Sequence, residues 1–552
     1  MPFGRGGNGF TVLDITNADK PLHLYTVYNN HIKNKVMIMN HLNVYSEYEY
    51  IDDTYSLAET EEGQTALDYY NGLADKDAAD VDVCDATGNT TCYKSRTWTF
   101  PEPGVKKSEF IITINGIKIP NFTIGSGSSG TEIILPKSVS YQAHQDRTKS
   151  PDDVEIKLTK AAITRLSNNL PAVYDYKELG ETWSAPRIFR LPNSGAGDNK
   201  MDDDIYVAVM GGGYGGRDDK VGSALFVINL EDSVTPGKLE KVISIKDEHN
   251  LNIVNSVPGT PVVITADQAR GIKYKGALVY VNDFEGKITK FNLTNMENDG
   301  YGNKINLYDN TTLLSIEANK NNGRYQYHSM DAGIGKTSKH FWLFSGTGDY
   351  ERMTARDSKI DNLMYGFRDK DYPLFRKYNH PITLLHGLQK CMDTTGDTQG
   401  IKCPLTTNAY SRLTRSKKDF GWYIKLKDSQ KVTAEPTVSN GLVYFPIFEP
   451  SQSANKCSLG LALICAVDDE CGTNVSSQLG NLKSQTIDGK VYAGKTCYAV
   501  GQGVLSRLVV FANKLFANIA GKSVQNKTDL VVIDSGMGDI ESFRSSWREG
   551  NF

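Results

Sequence analysis

What most limits the fold of this chain is a unit that returns along it: a short apolar run, a turn of Gly, Asn or Asp, then a second apolar run. FTVLDIT (Phe10 to Thr16) is the first. DIYVAVM (Asp204 to Met210) leads through GGGYGG into SALFVINL (Ser223 to Leu230), and GALVYVNDFEGKITKFNL (Gly276 to Leu293) reads as a hairpin joined at Asp283–Gly286. HFWLFSGTGDY (His340 to Tyr350) precedes NLMYGFRD (Asn362 to Asp369), and GLVYFPIFEP, LALICAVD, RLVVFANKLFANIAG and DLVVIDS follow. The runs are rich in Val, Ile, Phe and Tyr and are bounded by turn formers, which is the composition of strands. Long amphipathic helical patterns are scarce. The chain is expected to be all-β and mostly antiparallel.

Similar units recur at spacings of about 40–70 residues, near the period of a propeller blade carrying loops. Several close on a polar or acidic residue: Asp14, Asn229, Asn292, Asp369 and Asp468. One blade cannot bury both of its faces, and stacking blades around an axis covers them. The expected fold is an all-β β-propeller of about seven modified blades, with a series of β-sandwiches as the competing architecture.

The rhythm breaks between residues 30 and 180. This stretch carries YSEYEYIDDTY, ADKDAADVDVCDATGN and a Gly/Ser tract, GSGSSG, read as flexible. It also has strands of its own in SEFIITINGIKI and GTEIILP. Residues 1–29 are therefore assigned to the first propeller strands, 30–180 to a β-rich module inserted in an early blade, and 181–552 to the remaining blades. Long excursions tend to be functional. Tyr45, Tyr48, Tyr50, Tyr55, Tyr69 and Tyr70 suit either a contact face or strand packing.

Charge excludes some partners. The 61 basic and 65 acidic residues leave a net charge of −4, with no basic stripe of the kind that displaces counterions from nucleic acid. No apolar run reaches the length of a membrane span, and the opening MPFGRGGNGF lacks the pattern of a signal peptide. An upstream part bearing the export signal is expected. The eight cysteines are even in number and locally clustered, without CxxC pairs, which suits disulfides closing surface loops in an oxidising compartment. Proximity suggests Cys84 with Cys92, and Cys391 with Cys403.

Seven segments in order resemble the PilY/PilC family of type IV pilus biogenesis and tip-adhesin proteins, in its C-terminal propeller region. They are RGGNGFTVLDITNADKP, GETWSAPRIFRL, YVAVMGGGY with GSALFVINL, NSVPGTPVVI with GALVYVNDFEGKITKFNL, LFSGTGDYER with NLMYGFRD, FGWYIKL with AEPTVSNGLVYFPIFEPS, and the terminal SSWRE. Residues 30–179 lie outside the resemblance. What it implies is a β-propeller exported to the cell envelope and cell surface. It also implies a role in pilus assembly or stability with pilin or minor pilin partners, and contact with a surface or host-cell ligand.

The family's calcium loop, with oxygen donors at alternate positions, falls here on TADQARGIKYKG, where Asp267 is the single carboxylate and the loop is degenerate. Ca²⁺ candidates are Asp198, Asp202, Asp203, Asp204 and Asp267, with Asn199 beside the first four. A second acidic cluster runs through Asp75, Asp77, Asp80, Asp82 and Asp85. Neither cluster has the spacing of an EF-hand, and solvated turns are the alternative. GGGYGG is followed by another strand rather than a helix, so it reads as a turn and not as a phosphate cradle. No HExxH or GxSxG pattern occurs, and the expectation is a non-enzyme. The alternatives are a quinoprotein-type propeller enzyme, which would repeat a tryptophan motif in each blade, and an envelope scaffold without a pilus role.

Overall fold

The computed structural model describes residues 1–4, 6–49, 97–100, 105–114, 117–127, 130–134, 154–159, 162, 172–192, 204–215, 221–245, 255–265, 274–393, 401–402, 420–427, 429–451, 459–473, 486–487, 490–491, 497–523 and 530–535. The chain forms two compact units, residues 1–47 with 176–552, and residues 48–175. Among the described residues no helix is long and apolar enough to cross a membrane.

The larger unit is a succession of mostly antiparallel sheets, each built on a run of strands in chain order. The first comprises Gly9–Asp14, Leu22–Asn30, Lys35–Asn40 and Tyr45–Glu49. The second comprises Arg187–Leu191, Ile205–Gly211, Ala224–Asn229 and Leu239–Ser244. The third runs Val262–Thr265, Gly276–Asn282, Lys287–Thr294 and Asn310–Ser315, with Ile382–Thr383 added in parallel at its outer edge. The fourth starts with Asp331–Ile334, Phe341–Gly346, Leu363–Asp369 and Gly421–Lys425. The fifth is built on Leu442–Glu449, Leu461–Asp468, Cys497–Leu505 and Lys514–Ser523, and has eight strands in all, six of them on its main path. Cys497–Leu505 pairs with Leu461–Asp468 through its first half and with Lys514–Ser523 through its second, so this sheet curls and serves as two packed halves. Beside these five sheets, the described residues of this unit include a two-stranded pair, Thr486–Ile487 with Lys490–Val491.

Strand periodicity decides the stacking. Side chains alternate between faces, so each middle strand offers two apolar faces. Ala277, Val279 and Val281 pack with Val207, Val209 and Leu225 of the second sheet. Their neighbours Leu278 and Tyr280 pack with Phe341, Leu343 and Tyr365 of the fourth. Trp342 and Phe344 point the other way, onto Val443, Phe445 and Leu463 of the fifth. Tyr444 and Ile464 in turn meet Leu515, Ile519 and Val531 of the curled half. Tyr176 joins the first sheet to the second, 5.8 Å from Phe10 and stacked 5.5 Å from Phe226. Middle strands buried on both sides read as continuous apolar runs, and a buried Leu, Val or Phe contributes roughly 1.5–3 kcal/mol. This face-to-face series is a propeller arrangement.

The polar residues that close the units have a local cause. Each accepts backbone amides just beyond its strand, the Asx turn that Asn and Asp form well. Asp14 accepts from Thr16 at 2.8 Å, Asn229 from Glu231 at 2.7 Å, Asp369 from Asp371 at 3.0 Å, and Asp468 from Cys471 at 2.8 Å. The expected hairpin is present, with Gly286 at φ +76° in its turn.

One cysteine bridge stands beside those expected from proximity. Cys465 and Cys497 form a disulfide between directly opposed residues of two core strands, and Cys465 is fully buried. A bridge inside a sheet can join residues distant in sequence, which proximity along the chain does not reveal. Cys391 is disulfide-bonded, while Cys403, Cys84 and Cys92 lie outside the described residues.

The smaller unit holds two three-stranded sheets: Val154–Leu158, Phe110–Ile114 and Ile117–Lys118, and Thr97–Phe100, Gly130–Ile134 and Thr123–Gly127. Phe110, Ile112, Phe122, Ile133 and Leu158 are among its buried residues, with Phe110 and Phe122 edge-on at 6.5 Å. The GSGSSG tract is a correction. Ser126 pairs with Thr131 and Gly127 with Gly130, so its described residues are strand, because flanking Ile and Thr favour pairing. The smaller unit, 48–175, lies within the 30–180 expected for the inserted module, and Lys35–Asn40 pairs with Leu22–Asn30 in the first sheet.

Candidate functional site

The leading ends of the innermost strands come together, laced by short hydroxyl side chains. Thr182 begins the lacing: Phe3 N–H donates to its Oγ1 at 2.9 Å, and that hydroxyl donates to the Gly9 carbonyl at 2.5 Å, joining the first sheet to the second. Ala185 N–H donates to Thr260 Oγ1 at 3.0 Å, and Thr260 N–H to Ser329 Oγ at 2.6 Å, joining the second, third and fourth. Val438 N–H donates to Asp331 Oδ2 at 2.8 Å, joining the fourth to the fifth. Thr437 Oγ1 donates to the Leu508 carbonyl at 2.7 Å inside the curled sheet.

GGGYGG supports this lacing by close backbone approach. Gly212 N–H donates to Ala224 O at 2.7 Å, and Gly213, at φ +88°, donates to Val257 O at 2.9 Å. A Cβ on Gly213 would stand 2.2 Å from the Glu181 carbonyl, so a side chain there would force the two segments apart.

Four charges sit on these ends. Arg507 pairs with Glu435 at 3.0 Å. Burial pushes the Glu435 carboxyl above its ordinary range; Arg507 opposes that rise, Asp331 adds to it, and Arg187 opposes it more weakly. Burial likewise raises Asp331 against two backbone amides and the cations Arg507 and Arg187. Two arginines and two carboxylates thus share one polar mouth, with Arg187 and Arg507 open to solvent. An aromatic group gathers around Trp183, in the segment that leads into the second sheet. Trp183 lies 5.2 Å from Tyr214 and 6.0 Å from Tyr327, and Tyr350 is 39% exposed at 6.2 Å from Tyr327. Burial pulls the His328 imidazole down to about 4, so it is neutral at physiological pH. The arrangement offers charge complementarity and aromatic area, the chemistry of recognition.

None of Arg187, Asp331, Glu435 and Arg507 was singled out from the sequence. Their signal was positional: WSAPR, SMD, AEPT and LSR all stand just before or at the start of an innermost strand. Of the calcium candidates, Asp198, Asp202, Asp203 and Asp267 lie outside the described residues, as does the 75–85 cluster. Asp204 is half-buried, directly before Ile205–Gly211 and away from the axial mouth in sequence and sheet position. Among the described residues no group of three or more His, Cys, Asp or Glu is gathered to hold a metal.

No family model and no curated protein matches the chain. Among solved structures it is similar to the C-terminal domain of Pseudomonas aeruginosa PilY1, at 15% identity and a TM-score of 0.43, over 65% of this chain and 73% of that one. It is also similar to the PQQ-bound aldose sugar dehydrogenase of Streptomyces coelicolor, at 10% identity and a TM-score of 0.19, over 63% and 98%. Virginiamycin B lyase of Staphylococcus aureus follows, at 10% identity and 0.14, over 63% and 98%.

Proposed function

We propose that this chain is an exported, non-catalytic envelope protein that supports type IV pilus assembly and surface attachment, with the propeller as a rigid platform. One observation carries the reading: four of the segments resembling the PilY/PilC family lead into innermost strands, and two of them supply Arg187 and Glu435 of the axial mouth. RGGNGFTVLDIT, GETWSAPRIFRL, NSVPGTPVVI and AEPTVSN supply or lead into the innermost strands of the first, second, third and fifth sheets. The disulfide Cys465–Cys497 agrees with an oxidising compartment. Pilin or minor pilin segments are the partners this reading assigns to the mouth, and a surface or host ligand the partner it assigns to the smaller unit. It requires no calcium, because the matching loop has a single carboxylate, Asp267.

The test is a count of surface pili in a deletion strain, complemented by the full chain or by a copy lacking residues 48–175. Deletion is expected to strip the pili, and both copies to restore them, the shorter one without attachment. Unchanged pilus number and attachment in the deletion strain would overturn the reading.

A further inference from the structure

The fourth sheet is interrupted before its strand Gly421–Lys425 by a strap, and the strap makes a second concave surface. Its strand Ile382–Thr383 joins the outer edge of the third sheet, and Leu388–Asp393 joins the outer edge of the fourth. Lys290 Nζ donates to Leu374 O at 2.6 Å and Tyr378 N–H to Thr311 Oγ1 at 2.8 Å, which holds the strap down. Between it and the loop carrying Tyr301 lies a cleft of about 460 Å³, within the range of small-ligand sites.

The lining has a definite chemistry. Three cations, Lys370, Arg376 and Lys377, face it with one carboxylate, Asp371. Each cation is held in place: Lys370 lies 3.8 Å over the Phe420 ring, Arg376 lies 5.0 Å over Tyr301 and 3.9 Å from Asp371, and Lys377 pairs with Asp309 at 2.9 Å, which leaves an excess of one positive charge. Asp371 is fixed as well, accepting from Tyr378 OH at 2.5 Å. Groups fixed before the ligand arrives lose little freedom on binding. Tyr301 is 67% exposed and offers an aromatic edge at the rim. An excess of cations asks for an anion. Asp371 and Asn379 add acceptors that a bare anion cannot use but hydroxyl groups can, and the rings suit an apolar C–H face.

We infer that this cleft binds an acidic saccharide of one or two rings, its carboxylate or sulfate toward Arg376 and Lys377 and its hydroxyls toward Asp371 and Asn379. Calorimetry on the purified chain with a uronic-acid disaccharide, its neutral counterpart and inorganic sulfate tests this. The acidic disaccharide is expected to bind at least tenfold more tightly than either control, with affinity falling as salt rises. Tyr301→Ala and Arg376→Gln are each expected to weaken it at least fivefold at an unchanged melting temperature, since both side chains are largely exposed. No binding, equal binding of the neutral sugar, equal binding of sulfate alone, or variants that bind as well as the native chain would each overturn the site. The measurement needs no pili, so its failure leaves the pilus reading standing.

Discussion

The two ends of the fourth sheet handle charge in opposite ways. At one end Asp331, opposite Phe344, belongs to the axial mouth, where arginines reach solvent. At the other end Asp369, opposite Phe341, is sealed: Lys290 pairs with it at 2.6 Å, Tyr280 OH donates to it at 2.8 Å, and both charged side chains are about 1% exposed. Taking an ion pair out of water costs several kcal/mol, so such a pair persists only with full hydrogen bonding, and its work is to fix neighbouring sheets. Charges left in water interact weakly with one another and remain available to a partner. The sealed end holds the platform together, and the open end is the one suited to recognition.

The sharpest way to break this contrast is Lys290→Met. It leaves Asp369 buried and uncompensated, and a loss of about 3–5 kcal/mol is expected in urea unfolding. Adding Asp369→Leu to the same chain should return much of it. If Lys290→Met costs less than about 1 kcal/mol, the sealed end is not the clamp described here.

Asp469 gives a second, opposite effect. Burial and the neighbouring Asp468 and Glu470 push its carboxyl up to about 7. In the unfolded chain it releases its proton near the ordinary 3.8, so between about 4 and 7 the unfolded state binds fewer protons and rising pH disfavours the fold. Asp469→Asn should therefore leave stability unchanged below pH 4 and raise it by about 2 kcal/mol above pH 7. A pH-independent difference between the two proteins would contradict the assignment.

The smallest effect on stability is expected at the mouth. Arg507, at 49% exposure, pairs with a largely buried Glu435, and because solvent screens the arginine Arg507→Gln should change stability by about 1 kcal/mol or less. The same variant should reduce pilus number or attachment in complemented cells at unchanged protein level. A large loss of stability with no effect on pili would reverse the roles given to the two ends.

Much of the blade was legible along the chain. Runs such as GALVYVN and LALICAVD are apolar throughout because stacked sheets cover both of their faces, and Asn229, Asp369 and Asp468 recur because each closes its own turn. These are effects between residues only a few positions apart. The Cys465–Cys497 bridge was not legible, since opposed positions on neighbouring strands depend on a register that spacing alone leaves open. The axial site was hidden for a stronger reason: Arg187, Asp331, Glu435 and Arg507 come from separate strands, and each looks like an ordinary surface charge in its own segment.

Local chemistry, then, settled what this sequence could decide alone: the strands, the turns between them and the all-β class. The tertiary structure decided which charges are sealed and which stay wet. Burial and the meeting of innermost strands are properties of the packed sheets, and one hydroxyl or carboxylate acquires its role only when another sheet brings its partner within hydrogen-bond reach.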